Sequence, residues 1–153
     1  MMLERPARMK RRIVHGLQKY LLNPPLKLLF AIGVVPPGYA LLETTGRKTG
    51  RPRRTPVGDG RVQNEFWLIA EHGMAAGYVR NIAADARVRI QCYHGLRLRW
   101  RSGTAHLLPH DDARHRQRWL ARQKPASWMN AMAVRGFGTE LLSIRIDLDR
   151  LQS

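Results

Sequence analysis

The chain has 153 residues, enough for one domain of ordinary size and too few for two well-built ones. Apolar residues make up 44% and charged residues 25%, which supplies a real core and argues against a disordered chain. The 27 Lys and Arg against 11 Asp and Glu leave a formal charge of +16, so an anionic partner is expected: nucleic acid, an acidic membrane surface or a polyanionic small molecule.

Residues 7–22 read as a basic amphipathic helix. Met9, Ile13, Leu17, Tyr20 and Leu21 share one side, while Arg8, Arg12, His15 and Lys19 share another. Two readings stand for it: the apolar stripe packs on the rest of the protein, or it lies in the interface of an anionic membrane. Asn23-Pro24-Pro25 ends this helix, and a short apolar helix over about 26–34 stops before Pro36-Pro37-Gly38. The longest apolar run, Leu28 to Val35, has eight residues, far short of the roughly 20 that a spanning helix needs. Lys27 and two Pro-Pro pairs break up the only candidate signal sequence, so the expectation is a whole chain in the cytoplasm, with peripheral membrane contact through residues 7–22. Residues 1–37 form the expected N-terminal helical segment, and 38–153 the functional domain.

From Tyr39 the pattern changes to strands. Tyr39 to Thr45 leads into a Gly-bounded loop, Gly46-Arg-Lys-Thr-Gly50, and Arg53 to Val57 is the next strand. Glu65 to Glu71 is nearly continuously apolar, hence buried, and a helix over 75–84 follows. Arg87 to Tyr93 alternates, with Val88, Ile90 and Cys92 on one face and Arg87, Arg89 and Gln91 on the other. Cys92 is the only cysteine, which excludes an intramolecular disulfide and fits a reducing compartment. A turn at His94-Gly95 leads to Leu96–Arg101, expected to point Leu96, Leu98 and Trp100 inward, and a further strand runs from Gly103 to Leu108. Helices are expected at 110–123 and 126–134, then a closing strand over 141–148 with Leu142, Ile144, Ile146 and Leu148 inward. Six or seven mostly antiparallel strands with flanking helices define a mainly β, α+β architecture: a small barrel.

Common catalytic signatures are absent. There is no G-x-S-x-G, H-E-x-x-H or G-x-G-x-x-G, and Lys48-Thr49 lacks the glycine spacing of a P-loop. His106 and His110 flank Pro109, so no helix carries both, and no metal centre is read from the sequence. The informative segment is 44–56. Arg47, Lys48, Arg51, Arg53 and Arg54 fall within eight residues with no acid among them, and Gly46 and Gly50 let backbone approach a ligand closely. On residues alone this is either a solvated basic turn or an anion-binding loop, the latter because Arg forks clamp phosphates and carboxylates while Lys adds a mobile charge.

The run Leu41-Leu-Glu-Thr-Thr-Gly-Arg-Lys-Thr-Gly-Arg-Pro-Arg-Arg-Thr-Pro56, together with Tyr78-Val-Arg-Asn-Ile-Ala-Ala-Asp85 and Val88-Arg-Ile90, resembles the deazaflavin (F420)-dependent nitroreductase family. The resemblance covers about residues 38–92. It implies a split β-barrel related to pyridoxamine-phosphate-oxidase-like flavin proteins, and coenzyme F420, whose tail carries phosphate and carboxylates. By motif match, Arg47, Lys48 and Arg53 would hold phosphate and tail, Thr49 and Gly50 would add hydroxyl and backbone donors, and Ala70, Glu71, His72 and Gly73 would lie along the ring. Asn81 matches a recurrent Asn of the short helix. Two departures stand out. Glu71-His72-Gly73-Met74 replaces the family's Ser-Lys-Gly-Gly, and no Tyr follows Tyr93, so reduction of nitroaromatics does not carry over.

The implied reaction is hydride transfer to a quinone- or enone-like acceptor, with His72 the candidate proton donor. Trp128 and Met129 are either pocket lining or core. The expected partners are that small-molecule acceptor, the anionic membrane, and a second copy of the chain as a homodimer. Two alternatives are carried: the same barrel holding FMN or heme, and a nucleic-acid binder using Arg87, Arg89, Arg97, Arg99 and Arg101 on one sheet face. The second is disfavoured because that face lacks aromatics for base stacking.

Overall fold

A computed structural model describes residues 28–123 and 140–151. The chain divides into two units, Met1–Pro36 and Pro37–Ser153, and the sheet with its helices belongs to the second. In the first unit the described residues form a helical turn at 28–31. It ends on Gly33 at φ +83°, a left-handed conformation that suits glycine, so the helix stops short of the expected end at 34. The expected helices at 7–22 and 126–134, with Trp128 and Met129, lie outside the described residues.

Seven strands make one curled antiparallel sheet: β1 (Tyr39–Thr45), β2 (Pro52–Gly58), β3 (Arg61–Val62), β4 (Glu65–Ala70), β5 (Arg87–His94), β6 (Arg97–Leu108) and β7 (Leu142–Leu148). Their spatial order is β2-β1-β5-β6-β7-β4-β3, so β2 and β3 form the two edges of a split barrel. Pro52 and Pro56 sit on the β2 edge, where a strand needs fewer backbone donors. Helix α1 (Gly77–Ala84) follows a 3₁₀ turn at Gly73–Ala75, and α2 (Ala113–Gln123) precedes β7.

The core is the inner face of this sheet. Ala40 and Leu42 of β1, Val88, Ile90 and Cys92 of β5, Phe66 and Leu68 of β4 and Ile144 and Ile146 of β7 meet there, capped by Val79 and Ile82 of α1. Burial of each larger side chain contributes about 1.5–3 kcal/mol. On the other side α2 docks through aromatic and cationic contacts. Arg116 lies 4.1 Å over the Trp67 ring and 5.1 Å over Trp119, and the two indoles meet edge to face at 5.8 Å. Asp111 fixes that guanidinium with two hydrogen bonds, which hold its carboxyl below the usual range.

The sheet departs from the sequence reading in three places. The two-residue strand β3, too short to show alternation, was not expected. The segments 96–101 and 103–108 are one strand, β6. Gly103 is its buried midpoint, where a Cβ would stand 2.7 Å from the Asp147 carbonyl oxygen, so the glycine permits close pairing with β7. The third correction concerns facing. The β5–β6 turn is Gly95-Leu96, with His94 paired to Arg97 and Gly95 at φ +62°, as a two-residue hairpin of the II′ kind requires. An even-numbered turn keeps paired residues on one face, so Ile90 shares its face with Arg101 and Cys92 with Arg99. Leu96 is therefore fully exposed, and Leu98 and Trp100 point outward rather than into the core. The arginines divide too: Arg87 and Arg89 lie on the outer face, and Arg97, Arg99 and Arg101 on the inner one. The single cationic face invoked for nucleic acid does not form.

Candidate functional site

Two cavities open beside β1, β2 and α1, and both are bordered by Tyr78. The first is cationic. About 350 Å³ in volume, it is lined by Gly46, Arg47, Lys48, Thr49, Arg53, Arg54 and Thr55 from the loop and strand, and by Gly77, Tyr78 and Asn81 from α1. No carboxylate of the described residues lines it.

The loop's shape follows from its own backbone. The Gly46 N–H donates to Arg51 O at 2.8 Å, and the Gly50 N–H donates back to Gly46 O at 2.7 Å, with Gly50 at φ +69°. Asn81 then ties the loop to the helix. Its Oδ1 accepts from the Arg47 backbone N–H at 3.2 Å and from Arg47 Nη1 at 3.0 Å, while its Nδ2 donates to Thr44 Oγ1 at 3.1 Å. Arg47 Nη1 also reaches the Gly77 carbonyl at 3.4 Å. Asn81 is buried, so its bond to Thr44 acts in a low-dielectric setting, and the two part-buried bonds to the exposed Arg47 hold that residue before any ligand arrives. Lys48 and Arg53 have no ion-pair partner among the described residues.

Arg54 is different. Strand alternation turns it to the opposite face from Arg53, where its Nε meets Glu43 Oε2 at 3.0 Å. Glu43 also receives Arg89 at 3.2 Å, and both guanidiniums stack on Trp100, at 5.0 and 4.5 Å. The expectation that no acid offsets the five cations therefore fails for Arg54, because Glu43 is its direct cross-strand partner.

The second cavity, about 250 Å³, is walled mainly by apolar surface: Val57, Trp67, Leu68, Ile69, Ala76, Leu120 and Ala121, with Asp59, Glu71, His72, Tyr78 and Gln117 as polar members. Gly60 lets β4 approach, because a Cβ there would sit 1.7 Å from the Trp67 carbonyl oxygen. A parallel bridge from His72 to Glu140 holds the loop after β4. Burial, aided by the charge of Glu71, pushes the Tyr78 phenol up to about 12, so it keeps its proton at any physiological pH.

Of the residues singled out from sequence, Arg47, Lys48, Thr49 and Arg53 line the cationic cavity, and Glu71 and His72 the apolar one. Ala70 is buried within β4, and Gly73 packs against Glu140. Gly50 lines neither cavity, and its N–H is engaged within the loop. Tyr78 and the binding half of Asn81's role were missed. Both lie on one face of a short helix, three residues apart, and that spacing was the available signal.

A cationic loop at the rim of a split barrel thus stands next to a mainly apolar slot. The family model for F420H(2)-dependent quinone reductase matches residues 30–149, and the chain belongs to that family of F420-dependent reductases. No curated protein sequence matches the chain significantly. Among solved structures, the F420-H2 dependent reductase FDR-A shares 19% identity at TM-score 0.51, over 74% of this chain and 96% of that one. The conserved hypothetical protein Rv2991 of Mycobacterium tuberculosis shares 20% at TM-score 0.54, over 81% and 79%. The heme storage protein HutZ of Vibrio cholerae shares 15% at TM-score 0.50, over 85% and 92%. These likenesses establish the split-barrel fold. No helix among the described residues is long and apolar enough to cross a membrane.

Proposed function

We propose that this protein binds F420 across the two cavities and reduces a quinone- or enone-like acceptor. The observation that carries the reading is the junction at Tyr78 of a carboxylate-free cationic cavity with an apolar one. That pairing suits a cofactor with a polyanionic tail and a flat ring, and the donor set fits. Arg47, Lys48 and Arg53 would hold the phosphate and tail carboxylates, with the Thr49 hydroxyl beside them. The ring would lie along Glu71 and His72. When bound, the reduced deazaflavin supplies a hydride.

The chain's own contribution is positioning, water exclusion and proton supply. Trp67, Leu68, Leu120 and the aromatic body of Tyr78 wall the slot and keep it dry. As the acceptor gains a hydride, negative charge grows on its oxygen, and a donor must meet it. His72 delivers the proton to that oxygen, and the neutral Tyr78 hydroxyl offers a hydrogen bond from the other side of the same cavity.

Fluorescence titration of the purified protein with F420, with FMN and heme as controls, tests the cofactor. Oxidation of reduced F420 on adding menadione tests the acceptor. Tight F420 binding with quinone-dependent oxidation is expected, and micromolar FMN or heme binding without F420 binding would overturn the proposal. Peripheral membrane contact is a second reading, favoured by exposed apolar residues beside the basic segment 7–22. Leu28, Ile32 and Val34 are 64%, 65% and 44% exposed. Co-sedimentation of the full chain with anionic but not neutral vesicles is its expected result, and a full supernatant at low salt its refutation.

A further inference from the structure

The cofactor site leaves one group of cations unused. At the end of β5 remote from Asn81 and Thr44 stands His94; burial, and then the charges of the Arg61, Arg101 and Arg99 guanidiniums, drive its imidazole toward the neutral form. The hairpin parity that put Arg99 and Arg101 on the inner face brings them here. Arg61 comes from the opposite edge, on β3.

These groups are short of partners. Arg101 is only 5% exposed, and its Nη2 donates to the Asp149 carbonyl at 2.7 Å. Its Nε is buried without a partner, as are Arg61 Nε and His94 Nε2. Asp149 is close enough for its carboxyl to feel Arg101, but both its oxygens are bonded to Arg87, at 3.2 and 2.6 Å. No carboxylate pairs with Arg61, Arg99 or Arg101 among the described residues. Buried donors without acceptors and a cluster of like charges short of counter-charge are both costly, and an anion relieves both at once.

We propose that Arg61, His94, Arg99 and Arg101 form a second anion site that takes a small phosphate-type oxyanion. Forked guanidinium donors suit a tetrahedral oxyanion, and the ring nitrogen adds a further hydrogen-bonding group. The unmet nitrogens are buried on the core-facing side of the sheet, so a detached anion suits them better than a headgroup held in its leaflet. The site is distinct from the cationic cavity. Val88, which pairs with Thr44, the hydrogen-bond partner of the cavity-lining Asn81, lies six residues from His94 along β5, about 20 Å at the rise of an extended strand.

The test is titration of the full chain with inorganic pyrophosphate in low-chloride buffer, read on the His94 imidazole NMR signal, which is identified by its loss in His94→Gln. A saturable shift is expected in the wild type and in Lys48→Ala/Arg53→Ala. In Arg61→Ala/Arg99→Ala binding should weaken about tenfold or more. Arg99→Ala alone, at an exposed position that folding tolerates, should weaken it in the same direction. A wild-type His94 signal that stays still to millimolar pyrophosphate overturns the proposal. So does a shift that survives Arg99→Ala undiminished, or one that disappears in Lys48→Ala/Arg53→Ala, which would assign the anion to the loop.

Discussion

Arg53 and Arg54 are neighbours on β2, yet they face opposite sides of the sheet and meet opposite environments. Arg54 is paired with Glu43, shares that carboxylate with Arg89, and lies over Trp100. Arg53 opens onto a cavity with no carboxylate and has no ion-pair partner among the described residues. The outer cluster is a closed electrostatic account, with charge, counter-charge and aromatic face all supplied by the fold. The inner one is left open for a ligand. Two adjacent arginines thus differ in whether their charge is met within the fold, and perturbing each separately should expose what that difference does.

The largest effect is expected where binding and stability meet. Asn81→Ala strips two acceptor contacts from Arg47 and a donor from Thr44 in a buried setting, and should cost about 3 kcal/mol in urea unfolding. It should also release the loop and weaken F420 binding in titrations at temperatures where the variant is still folded. A variant of unchanged stability would mean that Asn81 does not anchor the loop.

The unpaired cations come next. Lys48→Ala and Arg53→Ala should each weaken F420 binding by about 1.5–3 kcal/mol, the scale of a hydrogen bond to a charged group. Unfolding midpoints should stay put, because neither side chain has a partner to lose. Equal losses for Arg54→Ala would erase the distinction between the two faces.

Tyr78 separates the cavities, and its buried phenol gives a pH signature. The unfolded phenol titrates near 10 and the folded one near 12, so the folded state holds its proton more tightly. The resulting stability is complete below pH 10 and disappears as pH rises through 12, a loss of about 3 kcal/mol. Urea unfolding at stepped alkaline pH should show that loss in the wild type, and Tyr78→Phe should remove this share of it.

Much of this was legible in the sequence, and the failures have physical causes. Alternation in β5 and β7 exposed the core face directly, because period-2 burial writes itself into apolar spacing. The Gly46–Gly50 loop was visible as a dense run of cations between glycines. Which cations stay unpaired was not, because Glu43 precedes Arg54 by eleven residues in the chain and meets it only through strand pairing. The facing of β6 failed for a similar reason. Apolar Leu96, Leu98 and Trp100 look like a core stripe until the even-numbered turn fixes the parity, and then arginines go inward and Trp100 outward. Tyr78 was hidden by ordinary composition, since nothing local says that one aromatic residue borders two cavities.

A smaller effect is expected on the outer face. Arg54 is 56% exposed, so its bridge to Glu43 is solvent-screened, and Arg54→Ala should cost about 0.5–1 kcal/mol of stability, part of it from lost stacking on Trp100. F420 affinity should be nearly unchanged. A double-mutant cycle with Glu43→Gln isolates the pair, and a coupling energy near zero would reassign the contribution to packing alone.

The smallest effect sharpens the comparison most. A chain of net charge +16 could attract a polyanion through its overall field, in which case every arginine would count about equally. Arg97 provides the control. It pairs with His94 at the far end of β5, about 20 Å along the strand from Val88, and is exposed. The screening length in 0.1 M salt is about 10 Å, so its charge is largely invisible at the cofactor cavity. Arg97→Ala should therefore leave F420 affinity within about 0.3 kcal/mol of wild type at that ionic strength, and drift from it only as salt is lowered. A loss at Arg97 matching the loss at Arg53 would replace a built site with a diffuse cationic surface, and the contrast between the two faces of β2 would no longer bear on binding.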